Sequence, residues 1–414
     1  MALRLRSFKS AAILFIASFA LAVASTGQSP SSPSIEQGRL VAPGSAPFYL
    51  KASIDGGSTK IEMYWLAQDI WRRTIVSPNF SQTLIVNGGK VFEHDSDPYF
   101  PLDLRTLATA LVDPVPILDA VKPGDAVRTK ANGASDESGV VCYDESRSLC
   151  SKSLLGLMET LGAAGHAVTF MNYQSFHGKR IARRLIYSVS VGDFTIAEIT
   201  ELKDLRNPNQ SLFAMDAPTP PERQIRIKEL TEPELRNLAT EKSEIIWPQV
   251  LDGAVAGAAT FYVSLDTTGK VREVHPLQTA NERSNDSAIR QIMRWRFNPA
   301  RIDGTPVQSE GILTFILNTR AWGPKDTLDD ASVRKLASNV VEPIIAPGKY
   351  PPGTEYKLWI AVDTDGIVIE KIAAGGPPDL FGPCDNALKQ WHFSPLMENG
   401  EPRPYRALVV FRIP

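Results

Sequence analysis

The residues best suited to nucleophilic or metal chemistry are few: three cysteines and five histidines in 414 residues. Cys142 and Cys150 lie close together, with Asp144 and Glu145 between them. His94, His166, His177, His275 and His392 are widely scattered. A metal at the cysteine pair would need further ligands nearby, so no metal site is expected. Asp363, Asp365 and Gly366 have the opening of a calcium loop, but the later acidic ligands and the distal Glu are missing. A turn is therefore expected there. Carboxylates are plentiful, yet nothing in their spacing pairs two of them into an acid–base dyad. No G-x-S-x-G, H-E-x-x-H, C-x-x-C, phosphate loop or dinucleotide fingerprint occurs. The sequence points away from an enzyme and implies no cofactor. It also points away from nucleic acid, because 44 Lys and Arg stand against 46 Asp and Glu. Phosphate binding needs a clustered basic surplus.

The chain is 43% hydrophobic and 22% charged, enough to bury real cores. Its length allows two to four domains at roughly 100–200 residues each. Residues 1–24 have the order of a secretory signal: Arg4, Arg6 and Lys9, an uncharged run from Ala11 to Ala24, and small residues at Ala22 and Ala24. Export to the periplasm is expected. The alternative is an inner-membrane anchor through 11–24, a run shorter than the ~20 residues of a full span. Residues 25–45 read as a flexible tail rich in Ser, Pro and Gly. An oxidising compartment makes Cys142 and Cys150 a local disulfide that closes a short loop.

Residues 46–214 read as one strand-rich block. Ile61–Trp65 and Trp71–Val76 alternate in the strand period. Leu84–Phe92 reads as a hairpin turning at Asn87-Gly88. Leu102–Leu111 and Lys152–Leu161 have helical spacing. Arg180–Tyr187 and Phe194–Glu201 return to strand spacing around Val191-Gly192-Asp193. A Pro-rich linker follows at 215–230, with Pro218, Pro220 and Pro221.

The remainder is an internal repeat, at 231–320 and 321–414. Phe261–Val271 and Leu358–Val368 each give a strand, a D-x-x-G turn and the start of a second strand. Trp295-Arg296-Phe297-Asn298-Pro299 matches Trp391-His392-Phe393-Ser394-Pro395. Gly304-Thr305-Pro306 matches Gly400-Glu401-Pro402, and Leu313–Leu317 matches Val409–Ile413. Ala288, Ile292 and Trp295 form an i, i+4, i+7 stripe, repeated by Cys384, Leu388 and Trp391. Cys384 stands where the first copy has Ala288, so it is expected to be a small buried hydrophobe rather than a reactive thiol.

The order of strand, D-x-x-G-x-V, helix, W-x-F-x-P, G-x-P and terminal strand resembles the C-terminal domain of the TonB energy-transducer family, in two tandem copies. That resemblance implies a small antiparallel sheet backed by helices, whose last strand is an edge that accepts an extended peptide. In the family the peptide is the TonB box of an outer-membrane transporter. The matching edges here are Ile312, Thr314 and Ile316 in the first copy. In the second they are Leu408, Val409, Val410, Phe411, Arg412 and Ile413. The segment that approaches the receptor corresponds to Trp247, Pro248 and Gln249, and to Tyr350 and Pro351. Two alternatives stand beside a free edge: the strands pair with each other, or with a neighbouring chain. The leader lacks the polar residues by which the family engages its motor, and the long spacer is missing, so force would come from a separate membrane partner.

The first block, through Ile61–Trp65, Trp71-Arg72-Arg73, the Asn-Gly hairpin and Ser211-Leu212-Phe213, resembles the half-barrel of the LolA-type lipoprotein carriers. The resemblance implies an apolar cavity for acyl chains, which Trp65, Trp71 and Phe92 would line; the alternative, preferred for each of them, is packing in an ordinary core. The expected fold class is therefore α+β: an N-terminal antiparallel half-barrel with helices, then two small TonB-C-like domains. The expected function is a non-enzymatic envelope protein that binds a transporter or other envelope peptide. The rivals are a lipid or lipoprotein carrier and a structural envelope protein.

Overall fold

Side chains that alternate between apolar and polar form most of the first block, and the computed structural model turns them into strands. The structure describes residues 38–42, 44–113, 140–144, 149–154, 157–163, 166–190, 193–215, 217–248, 251, 256–318 and 324–413, without the side chains of 140–163, 190, 193 and 324. The expected signal segment and most of the tail lie outside these residues, as do Val191, Gly192 and Gln249. So do the side chains of Cys142 and Cys150, whose backbones stand opposite each other.

The described chain is mixed α+β, mostly sheet, with few helices. Eleven antiparallel strands form the first sheet: β1 (Phe48–Ile54), β2 (Thr59–Ala67), β3 (Ile70–Val76), β4 (Ser81–Asn87), β5 (Lys90–Asp95), β6 (Val140–Asp144), β7 (Leu149–Leu154), β8 (Leu157–Ala163), β9 (His166–Phe176), β10 (Lys179–Ser190) and β11 (Asp193–Asp204). They run in the order β5-β4-β3-β2-β1-β11-β10-β9-β8-β7-β6, so the sheet is open, with rims at β5 and β6. Its apolar face packs on helix α1 (Leu102–Ala110), which buries Leu104, Leu107 and Ala108. Trp65 is a core residue stacked on Phe48 at 5.5 Å. Trp71 packs at the margin of the same core.

Three expectations change here. Within the expected helix Lys152–Leu161, the described residues 152–154 and 157–161 are not helical but belong to β7 and β8. Leucines at a helical interval also suit two short strands, and ladders on both sides decide between them. The hairpin turns at Gly88-Gly89, with Asn87 paired to Lys90. Both glycines have positive φ (59° and 79°), which a two-residue hairpin turn requires. Lastly, the expected linker contains a strand.

That strand, β12 (Ile227–Leu230), opens a second sheet with β13 (Ala256–Leu265), β14 (Val271–Thr279) and β15 (Gln308–Asn318), in the order β12-β15-β13-β14. A third sheet repeats it with β16 (Thr327–Leu328), β17 (Glu355–Val362), β18 (Val368–Gly375) and β19 (Tyr405–Arg412), in the order β16-β19-β17-β18. β12 and β16 are parallel to their neighbours, and the other pairs in these two sheets are antiparallel. Helices α2 (Glu232–Leu238) and α3 (Asn285–Ile292) belong to the second sheet, α4 (Asp330–Leu336) and α5 (Phe381–Leu388) to the third. Thr231 and Glu234 cap α2 reciprocally, as their spacing requires.

The repeat motifs meet in space. Asp266 accepts from the N–H groups of Thr268 and Lys270, and Asp363 from those of Asp365 and Ile367. Gly269 and Gly366 (φ 83° and 78°) lie directly under the carbonyls of Phe297 and Phe393. A Cβ there would sit 1.9 Å and 2.1 Å from those oxygens, so the turn glycine and the W-x-F segment need each other. The stripes Ala288–Ile292–Trp295 and Cys384–Leu388–Trp391 are buried in their respective cores. Burial pushes the Cys384 thiol up to about 11, as suits a packed hydrophobe.

Candidate functional site

The strands expected to be free edges are not edges. β15 carries β12 on its outer side, in register from Ile227 opposite Gln308 to Leu230 opposite Gly311. β19 carries β16, with Thr327 opposite Arg406 and Leu328 opposite Ala407. The reason is local: the segment ahead of each module's first helix carries a leucine that packs inward, Leu230 or Leu328, and the nearest unpaired ladder is the module's own last strand.

Beyond these short partners, side chains cover the main chain of one residue on each rim. The N–H of Thr314 donates to Glu232 Oε1 at 3.0 Å, and Arg236 Nη2 donates to the Thr314 carbonyl. Glu232 and Arg236 are themselves paired at 2.7 Å across one turn of α2. In the second module the N–H of Val410 donates to Asp330 Oδ1 at 2.9 Å. Arg334 Nη2 donates to the Val410 carbonyl at 2.9 Å, and Arg334 and Asp330 pair at 3.1 Å. One carboxylate and one guanidinium thus satisfy the main-chain groups that a further strand would use. Burial works to raise Glu232, but the Thr314 N–H and Arg236 outweigh it and hold the carboxyl below its ordinary range. The recurring Arg-x-Leu-Ala of the two helices is visible in the sequence. Its partners Glu232 and Asp330 are legible only as i, i+4 pairs.

The other expected site residues divide. Ile316 is 83% exposed, and Arg412 is exposed, paired to Glu355 at 3.1 Å. Val409, Val410, Phe411 and Ile413 are buried; Ile312 and Leu408 are half-buried. Trp247 and Pro248, the described residues of the segment matched to the receptor approach, are buried. Trp247 is 9% exposed, and its ring meets Phe315 edge-on at 6.5 Å. Gln291 holds this segment in, accepting from the Ile246 N–H and donating to its carbonyl. Tyr350 bonds Asp379, and Pro351 is exposed.

Two polar clusters escaped the sequence because their members are far apart in the chain. At the junction of the first block with the first module, Arg105 pairs with Glu310 at 2.6 Å, and the Tyr262 hydroxyl donates to the same carboxylate at 2.6 Å. The Tyr262 ring joins the first block's core and meets His166 edge-on at 4.8 Å. The Tyr187 hydroxyl bonds His166 Nδ1 at 3.1 Å, while Nε2 is buried with no partner. Burial first, then the charges of His275 and Arg105, push His166 down to about 3, so its ring is neutral.

The second cluster faces a cleft of about 770 Å³ between β5, residues 217–226 and the turn at 305–307. Glu93 and Asp95 share Gln82, which donates to both carboxylates at 3.1 Å and 2.9 Å. Arg73 in turn donates to Gln82 at 2.6 Å. Burial, then the neighbouring Asp95, push Glu93 up to about 7, and burial lowers Arg73 to about 10. Thr219 seals the β5 rim: its N–H donates to the Val91 carbonyl, and its hydroxyl accepts from the Glu93 N–H.

Among the described residues, no helix is long and apolar enough to cross a membrane. No protein-family model and no curated protein matches the chain. Among solved structures, a LolA superfamily protein from Nitrosomonas europaea is similar over 45% of this chain and 99% of its own. The identity is 9% and the TM-score 0.27. A structure of PNGF-II is similar over 89% of this chain and 93% of its own, with 8% identity and a TM-score of 0.14. Neither TM-score is high enough to support a shared fold.

Proposed function

We propose that this chain is an exported, non-catalytic protein of the cell envelope. Its two TonB-C-like modules would recognise extended peptide segments, such as transporter TonB boxes, by strand addition. One observation carries this reading. In both modules a residue of the last strand, Thr314 or Val410, turns its N–H and C=O away from the neighbouring strand, and only side chains satisfy them. Main-chain groups so held are addressable by another backbone, which offers the same donor and acceptor with ladder geometry. The first block would serve as the folded spacer that carries the modules, and the drive for transport would come from a separate membrane partner. A lipid-carrying role for the first block rests on its strand pattern alone.

The test is fluorescence anisotropy with a labelled synthetic TonB-box peptide and the full chain. Val410→Pro removes the N–H and obstructs the ladder, so binding should be lost while the near-UV circular dichroism of the protein is kept. Undiminished binding by a folded Val410→Pro protein would sink the site.

A further inference from the structure

The two modules share one design but hold their outer strand with different strength. β12 matches four residues of β15, whereas β16 matches only two of β19. Behind them α2 buries Leu235 and α4 buries the smaller Val333. Ladder bonds and buried apolar area both raise the cost of removing a strand, so by these two measures the second module is the more easily opened, although Arg406 donates to Thr327 of β16 at 2.8 Å. Past β16, its rim rests on Asp330 and Arg334, whose side chains are 17% and 27% exposed. The matching Glu232–Arg236 pair of the first module is 32% and 37% exposed, so both clamps are weak holds and the length of the outer strand separates the modules.

We propose that the second module is the working acceptor, and that β16 with the Asp330–Arg334 clamp is an internal plug that an incoming segment replaces. This rests on the strand-addition reading above and goes beyond it by assigning the module, the direction and the step that must precede binding. The plug defines its guest. β16 runs parallel to β19, so the guest is an extended peptide in that same direction. Its backbone supplies an acceptor for the Val410 N–H and a donor for the Val410 carbonyl, the two bonds that the clamp supplies in its absence. Proline is excluded from the donating position.

The probe is a labelled synthetic peptide of residues 224–231, which contains the four-residue strand β12 that already binds a last strand in this way. It is titrated into the full chain, into Asp330→Ala and, as the matched change in the first module, into Glu232→Ala. Hydrogen exchange over residues 405–413 is read on the same samples. Loss of the clamp should speed exchange at Val410 about tenfold and tighten peptide binding about tenfold, as expected for one lost charge-assisted hydrogen bond. Glu232→Ala should gain less. Equal peptide affinity in the wild type and Asp330→Ala would overturn the plug and leave strand addition standing. Faster exchange at Val410 with no peptide bound by any variant would overturn both. Unchanged exchange at Val410 would overturn the plug as well. Arg334→Ala opens the same clamp from its other side and replaces Asp330→Ala if that variant does not fold.

Discussion

At the scale of single residues, the half-buried Glu93 and His166 give pH dependences that act in opposite directions. The folded protein raises Glu93 from an ordinary 4.5 to about 7. The native state therefore holds a proton that the unfolded chain releases, and stability falls as pH rises from 4.5 to 7. The folded protein lowers His166 from 6.5 to about 3, so stability falls as pH drops below 6.5. Between pH 4.5 and 6.5 the two slopes oppose each other, and only substitution separates them. Glu93→Gln keeps an acceptor for Gln82 and removes the charge. Its melting temperature should exceed the wild type's at pH 8 and approach it at pH 4.5; melting curves across that range check this. The same difference at both pH values would refute the assignment.

At the scale of elements, the outer strand of the first module depends on what Gly311 lacks. A Cβ at Gly311 would lie 2.7 Å from the Leu230 carbonyl and 3.2 Å from the Leu235 side chain. The first contact is backbone, so the strand rather than a rotamer must give way. Gly311→Val should lift β12 and α2 off β15 at a cost of about 1–3 kcal/mol, in the range of overpacked cores. Exchange at residues 227–230 should rise while that of β13 and β14 stays low. Protection of 227–230 equal to the wild type would show that this close approach does not hold the strand. The tryptophans that follow the stripes belong to a different class of contact. Trp391 donates to the Val341 carbonyl at 2.9 Å and meets Phe411 edge-on at 5.6 Å. It is core, and it packs against Phe411 of β19.

At the scale of the described molecule, charges on and beside the D-x-x-G turns join the first block to the first module and the first module to the second. Asp266 faces Arg272 at 3.5 Å, and Arg272 reaches Asp97 of the first block at 3.1 Å. Asp363 is wholly buried and takes Arg290 from α3 of the preceding module. Asp365 takes Arg290 at 3.1 Å and Arg294 at 2.8 Å. Glu370 adds Arg283 at 2.7 Å. The acidic turn that resembled part of a calcium loop is thus a docking contact. Arg290→Ala leaves Asp363 buried with its turn N–H groups but without its cation. The expected cost is about 1–3 kcal/mol, read as an earlier unfolding transition of the second module in calorimetry. A single unchanged transition would show that the modules do not depend on this contact.

Apart from the segment found in β7 and β8 and the exact place of the first hairpin's turn, strand spacing, turn chemistry and the duplicated order of motifs depend on neighbours a few residues apart, and these the sequence determined by itself. So did the core stripes, including Cys384, because a 3.6-residue period is a local property. The rims were another matter. A ladder of N–H and C=O groups reads the same in a sequence whether it is bare or covered. Its cover comes from Glu232 and Arg236, 82 and 78 residues before Thr314. Hydrogen bonds of that span form only once the sheets have closed, so tertiary structure alone decided which edges are occupied. The same holds for His166 against Tyr262 and for Asp363 against Arg290: each pairing is a consequence of packing between domains, which leaves no periodic trace in the chain.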